Sequence, residues 1–297
     1  MNIMGKRKYL YLLSLAVIIP GVISLSIWKL KLSIDFTGGS VTEVSGTYDE
    51  SKVRSIAEKN GYQNIVLTKS DNVLILKTKE ISDANHRKFT AELIKEIPSA
   101  KESRFESVGP SVSKTLARNA FYSVALASFF IVIYLSMAFK KVSKPLNSWE
   151  FGLMAVVALI HDVLVVVGIF SILGHFFNVE IDSMFITAIL TIIGFSVHDT
   201  IVVYDRIREK VIKDGVDNFE KLVNKSLLET LSRSVNTSLT VILTLLILFL
   251  FGGESIKIFV LALLVGIATG TYSSIFVASA LLVDSFKFKG KLKTKNA

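Results

Sequence analysis

The chain contains no cysteine at all, which excludes disulfides, a thiolate nucleophile and any thiolate-based metal site. No Ser/His pair, paired Asp or metal-ligand set shares a plausible depth, apart from two His-Asp steps in apolar runs. An enzyme is therefore not expected: there are no catalytic residues to name, no metal site and no cofactor. Long stretches also lack charge. Hydrophobic residues make up 51% of the 297 residues, and the mean hydropathy is +0.53. A soluble domain rarely carries that much apolar surface, so the excess must face lipid. The formal charge of +9 could suggest nucleic acid. Lys and Arg sit mainly between the apolar runs, however, where they act as topology signals, and no nucleic-acid partner is expected.

Six runs are long enough to cross a hydrocarbon core, which takes about 20 helical residues. They fall near Tyr9–Trp28, Asn119–Phe139, Phe151–Leu173, Ser183–Tyr204, Val235–Phe251 and Ile256–Val283. The first follows a short tail, 1–8, and is too long for a signal-peptide core, so it reads as an uncleaved anchor kinked at Pro20-Gly21. Gly266 and Gly270 give the last run a small-residue face for close packing. The N-terminal tail, the 140–150 loop with Lys140, Lys141 and Lys144, the 205–234 loop and the basic tail 284–297 together hold eighteen cations. The short loops on the other side hold only Lys257, and the long 29–118 segment counts for little in such a sum. The rule that cations stay inside places both termini in the cytoplasm and residues 29–118 outside.

Residues 29–118 read as a small α+β domain inserted between the first two spans. Strands are expected at Ser40–Val44, Ile65–Thr68, Val73–Thr78 and Ser103–Val108, and helices at Asp49–Asn60 and Ser82–Ile97. The middle strands pair through a Ser70-Asp71-Asn72 turn. The order β-α-β-β-α-β fits a ferredoxin-like unit. His86, its one histidine, reads as an inert surface residue on a polar helix.

Ionisable groups inside the bilayer cost energy and so need a partner or a task. His161-Asp162 falls at the middle of the third span. Adjacent residues point about 100° apart on a helix, so the two cannot share one narrow face. Asp162 reads equally well as a structural hydrogen bond and as a proton relay. Asp199, beside His198, lies about 8 Å from the cytoplasmic end of the fourth span at about 1.5 Å per residue. It is too short to reach water and must hold a proton or find a cation. Arg233 enters the next span from the same side. A carboxylate alternating between that Arg and a proton would be a simple transport element, while a static pair or a snorkelling anchor is the plainer reading. Asp205-Arg206 and the charges after them continue the helix as a solvated boundary, with Arg206 on the face of Asp199.

The stretch from Gly194 through Phe195, His198, Asp199, Asp205 and Arg206 to Glu209 resembles the fourth-span signature of the SecD/SecF family, on its SecF side. Asp35-Phe36-Thr37-Gly38-Gly39 resembles that family's Asp-Phe-x-Gly-Gly element. His161-Asp162-Val163, the run from Arg233 to Gly253, and Tyr272 to Ala278 fit as well. Phe195 and His198 depart from it, since the family usually has Tyr and Asn there; His198 would then modulate the proton affinity of Asp199. The resemblance implies an α-helical polytopic protein of the bacterial inner membrane, its six transmembrane helices akin to half of an RND transporter. It implies SecD as partner, the SecYEG channel, with YajC and YidC as further associates, and a translocating polypeptide drawn out by the proton motive force. Na⁺ is the alternative driving ion. By position, Asp199 and Arg233 match the family's proton-relay pair. The rivals are an RND-type exporter of small molecules or lipids, for which one small domain is too little, and a scaffold, which would not need an intramembrane Asp.

Overall fold

Six helices long and apolar enough to cross a membrane run through the computed structural model, which describes residues 2–46, 48–70, 73–139, 148–215 and 217–295. Numbered in chain order with the shorter helices below, they are α1 (Arg7–Trp28), α5 (Pro110–Ala138), α6 (Ser148–Phe177), α7 (Ser183–Asp214), α8 (Phe219–Phe251) and α9 (Glu254–Tyr272). A π-helical turn, Ser273–Val277, carries α9 into α10 (Ala278–Lys295). The first five apolar runs read from the sequence fall in α1 and α5–α8, the second passing the end of α5 by one residue, and the sixth runs from α9 through the π turn into α10. The helices overrun the apolar stretches, because hydropathy marks only the part that favours lipid. Past Tyr204, Arg206 and Lys210 of α7 both pair with Glu229 of α8 (2.5 and 2.6 Å), and those ion pairs hold the polar extensions in register. As far as Lys295, the basic tail is likewise part of α10. Lys140, Lys141, Lys144, Asp71 and Asn72 lie outside the described residues.

The chain divides into two units, Met1–Lys31 with Tyr122–Ala297, and Leu32–Phe121. In the first, the most apolar stretches of α6, α7 and α9–α10 are about half buried, at 50%, 50% and 56%, against 6% for α5 and 11% for α8. The core is therefore α6, α7 and α9–α10, around Phe170, Phe185, Ile189, Ile192 and Tyr204. α5 and α8 turn large apolar side chains outward, among them Phe129, Phe130, Leu243 and Phe251. Small residues set the close approaches. α1 continues as one helix through Pro20, and a Cβ on Gly21 would come within 2.9 Å of the Gly168 backbone on α6. A Cβ on Gly266 would run into the Ile192 side chain, and one on Gly270 would stand 3.3 Å from Ser196 Cβ. α9 can thus lie directly on α7.

In the second unit, β1 (Gly39–Gly46), α3 (Glu50–Lys59), β2 (Val66–Ser70), β3 (Val73–Thr78), α4 (Asp83–Glu96) and β4 (Ala100–Val108) form a four-stranded antiparallel sheet ordered β2-β3-β1-β4, with two helices. Val44, Leu74 and Leu76 of the sheet meet Val53 and Ile56 of α3 and Phe89 and Leu93 of α4 in a second core. Caps begin both helices: Asp49 accepts from Ser51, and Ser82 from Asn85. β4 starts at Ala100 rather than Ser103 and bulges opposite Glu43/Val44. Asp35-Phe36 forms the heart of a one-turn helix, α2 (Ile34–Thr37). Gly38 and Gly39 follow it at φ +72° and +125°, and a Cβ on Gly39 would stand 2.5 Å from the Thr78 carbonyl. The pair is glycine because β1 must enter the sheet there. His86 is no free surface residue. It stacks on Phe105 at 3.4 Å and lies 3.0 Å from Tyr62 Oη and 3.2 Å from Glu102, so it ties α4 to the sheet.

Candidate functional site

α7 carries Asp199 on its inner face, 2% exposed. Ser238 of α8 donates to its carboxylate at 3.3 Å, and Thr271 of α9 donates to Ser238 at 2.7 Å. One carboxylate thus joins three helices through two hydroxyls. One long hydroxyl contact, itself backed by a second hydroxyl, is a weak substitute for hydration of a carboxylate.

Asp162 on α6 is 1% exposed. Ser196 of α7 donates to its Oδ2 at 2.5 Å, and Ser274 in the π turn donates to the Ser196 carbonyl at 2.8 Å. Gly270 leaves room for this, since a Cβ there would stand 3.6 Å from Asp162 Oδ2. The His-Asp step closes on itself: His161 Nδ1 lies 3.0 Å from Asp162 Oδ1. Their Cα–Cβ bonds point about 100° apart, as a helix requires, and the side chains bend back to meet.

The expected Asp199–Arg233 pair is not formed. Arg233 is exposed on α8, and among the described residues no ion pair joins it to Asp199. The reason is helical phase: Arg233 is five residues from Ser238, about 140° around the helix from the residue that does reach Asp199. His198 is also exposed, about 100° around α7 from Asp199, so it makes no hydrogen bond to the carboxylate. Gly194 is exposed, with open space where a Cβ would be. Asp205 pairs with Arg208 (2.8 Å) and Arg206 with Glu209 and Glu229 (both 2.5 Å), which fits a solvated boundary.

The family described as protein export membrane protein SecD/SecF, C-terminal, matches residues 88–287. The chain belongs to the SecD/SecF family. A protein translocase subunit SecF from Thermobaculum terrenum is 46% identical over 95% of this chain and 93% of its own length. One from Anaerolinea thermophila is 41% identical over the same shares. The Bacillus subtilis protein translocase subunit SecDF is 36% identical over 93% of this chain, which spans only 37% of it. A crystal structure of SecDF, a translocon-associated membrane protein from Thermus thermophilus, superposes with a TM-score of 0.83 at 33% identity, covering 97% of this chain and 39% of that one. This SecD/SecF-family chain is accordingly a multi-pass membrane protein.

Sequence reasoning found both carboxylates of this family member and missed their surroundings. Ser196, Ser238, Thr271 and Ser274 are ordinary residues in apolar runs, and only the fold shows which hydroxyls face an Asp. Their one signal was the Ser/Thr cluster Thr271–Ser274, polar for a span.

Proposed function

We propose that this chain works as the SecF part of a bacterial protein-export complex, sitting with a SecD partner beside the SecYEG channel. There it helps draw a translocating polypeptide across the inner membrane at the expense of the proton motive force. YajC and YidC are further associates in this reading, and Na⁺ is the alternative ion. The observation that carries it is Asp199, a nearly fully buried carboxylate held between α7, α8 and α9 by hydroxyls, with no ion pair among the described residues. A proton taken up or lost there changes what binds three helices together, so ion flow becomes helix movement. One proton crossing 100 mV supplies about 2.3 kcal/mol, enough to shift such contacts. Arg233, outward on α8, is then a cation offered to the partner subunit, and Asp162 is a secondary proton site. The relatives' names, protein translocase subunit SecF and SecDF, support the assignment.

In this reading both termini are cytoplasmic and the Leu32–Phe121 unit is extracytoplasmic, a ferredoxin-like domain that binds or moves rather than catalyses. Its strand order β2-β3-β1-β4 supports that class. The test is affinity capture of the full chain from solubilised membranes. Recovery with SecD and SecY is expected. Recovery of the intact chain with neither would refute the assignment.

A further inference from the structure

The polar network around Asp162 does not stop at His161. With Nδ1 turned to the carboxylate, the ring's other nitrogen points away from it, and Nε2 is buried without a hydrogen-bond partner. His161 itself is 9% exposed. A buried ring nitrogen left so is costly, and the question is what it faces.

The seam between α1 and α6 answers it. Gly21 lies against Gly168, and Ser24 Oγ lies 2.8 Å from Ser171 Oγ; both pairs are 147 residues apart in sequence. The helices therefore run parallel and in step. The same offset, one heptad back from Gly21, sets Ser14 beside His161. Ser14 is 7% exposed, and its buried hydroxyl makes no well-formed hydrogen bond among the described residues, the Tyr272 hydroxyl being its nearest polar neighbour. Two polar atoms without a well-formed hydrogen bond thus occupy one level of one seam. Polar groups continue from there towards the start of α1: Tyr272 donates to the Leu10 carbonyl (2.7 Å), one turn before Ser14, and Tyr11 donates to Asp284 (3.0 Å), which also pairs with Arg7 (2.7 Å).

We propose that Ser14 and His161 Nε2 are joined, directly or through one water, and that this seam is a proton route to Asp162 from the α1 N-terminal end, separate from Asp199. The route rests on the proton-coupled reading above and adds a second entry to it. In the step, the hydroxyl or its water gives a proton to Nε2 and is resupplied from behind. The Nδ1–H bond breaks as Oδ1–H forms on Asp162. One proton has moved, the imidazole is neutral before and after, and the reverse transfer resets its tautomer. The groups facing the pair are Ser196 from α7, Ser273 and Ser274 from the π turn, Gly270 from α9, and Ser14 with Tyr272 on the α1 side.

The test uses the full chain in lipid vesicles and infrared spectroscopy. The carbonyl band of a protonated acid that disappears in Asp162→Asn reports the site, and its shift after transfer to D₂O reports proton access. Ser14→Val, which fills the seam, should slow that exchange about tenfold or more. Ser14→Ala should slow it too, and decides alone if the Val variant does not fold. Ser14→Thr, which keeps the hydroxyl, should exchange as the parent does. Asp199→Asn should keep both the band and its exchange rate while losing proton-driven export, so the two readings fail separately. A parental exchange rate in Ser14→Val and Ser14→Ala, or no acid band assignable to Asp162, would overturn the route.

Discussion

Ser238 Oγ on α8 stands 3.3 Å from the Asp199 carboxylate on α7, and its own hydrogen-bond donor is Thr271 on α9. Thr271 therefore acts on Asp199 through Ser238. Ser238→Ala should lower proton-driven export about fivefold, the worth of roughly 1 kcal/mol for a lost hydrogen bond. Thr271→Val should give a similar loss. The double variant should be no worse than Ser238→Ala alone, because the second change removes a donor whose acceptor is already gone. Fully additive losses in an export assay would show that Thr271 has a separate task.

Glycines in the bundle should divide sharply by what faces them. A Cβ at Gly168 would come within 2.6 Å of the Gly21 backbone, whereas one at Gly194 meets nothing within 4 Å. Gly168→Ala should lower the stability of the purified chain by about 1–3 kcal/mol, because backbone cannot step aside. Gly194→Ala should leave it within about 0.5 kcal/mol. Thermal unfolding in detergent separates the two, and equal effects would contradict the packing described.

Much of this fold was legible because lipid leaves a strong mark on sequence. Each of the six helices announces itself by a long apolar run, and Asp162 and Asp199 stand out because charge there is costly. The phase of a side chain around a helix was harder to read. Arg233 sits at the right depth for Asp199, but which face of α8 turns inward depends on packing against α7 and α9, and Ser234 and Ser238 take that face. The helical form of Asp35-Phe36 and the π turn at Ser273–Val277 were hidden for a similar reason, since both are set by tertiary contacts rather than by local preference.

The Asp49 cap predicts a local pH dependence. The Ser51 hydroxyl and N–H both donate to its carboxylate, at 2.6 and 2.9 Å, and hold it below the usual carboxylate range. A depressed value means that the cap's stabilisation is present above the ordinary carboxylate pKa and is lost as pH falls through the folded one. Protection of the first-turn amides of α3, measured as exchange relative to the intrinsic rate at each pH, should therefore fall at acid pH in the parent. Asp49→Ala should show the lower protection at all pH values, and a parental pH dependence of protection in that variant would contradict the assignment.

Sidedness is open to direct labelling. Lys95 on α4 and Lys213 near the end of α7 are both exposed, and the chain has no native cysteine to interfere. An impermeant maleimide should reach Lys95→Cys from outside intact spheroplasts and Lys213→Cys only after lysis. Outside labelling of Lys213→Cys would reverse the proposed topology.

The most direct test of the energy-coupling claim is proton-driven export by Asp199→Asn. Asparagine matches the neutral acid in shape and cannot release a proton, and it still accepts a hydrogen bond from Ser238. Membrane vesicles carrying the variant at the parental level should complete ATP-driven entry of a substrate into the channel. They should show no further gain in export when a proton motive force is imposed. A parental gain on imposing the gradient would contradict the account, because Asp199 would then carry no proton that export depends on.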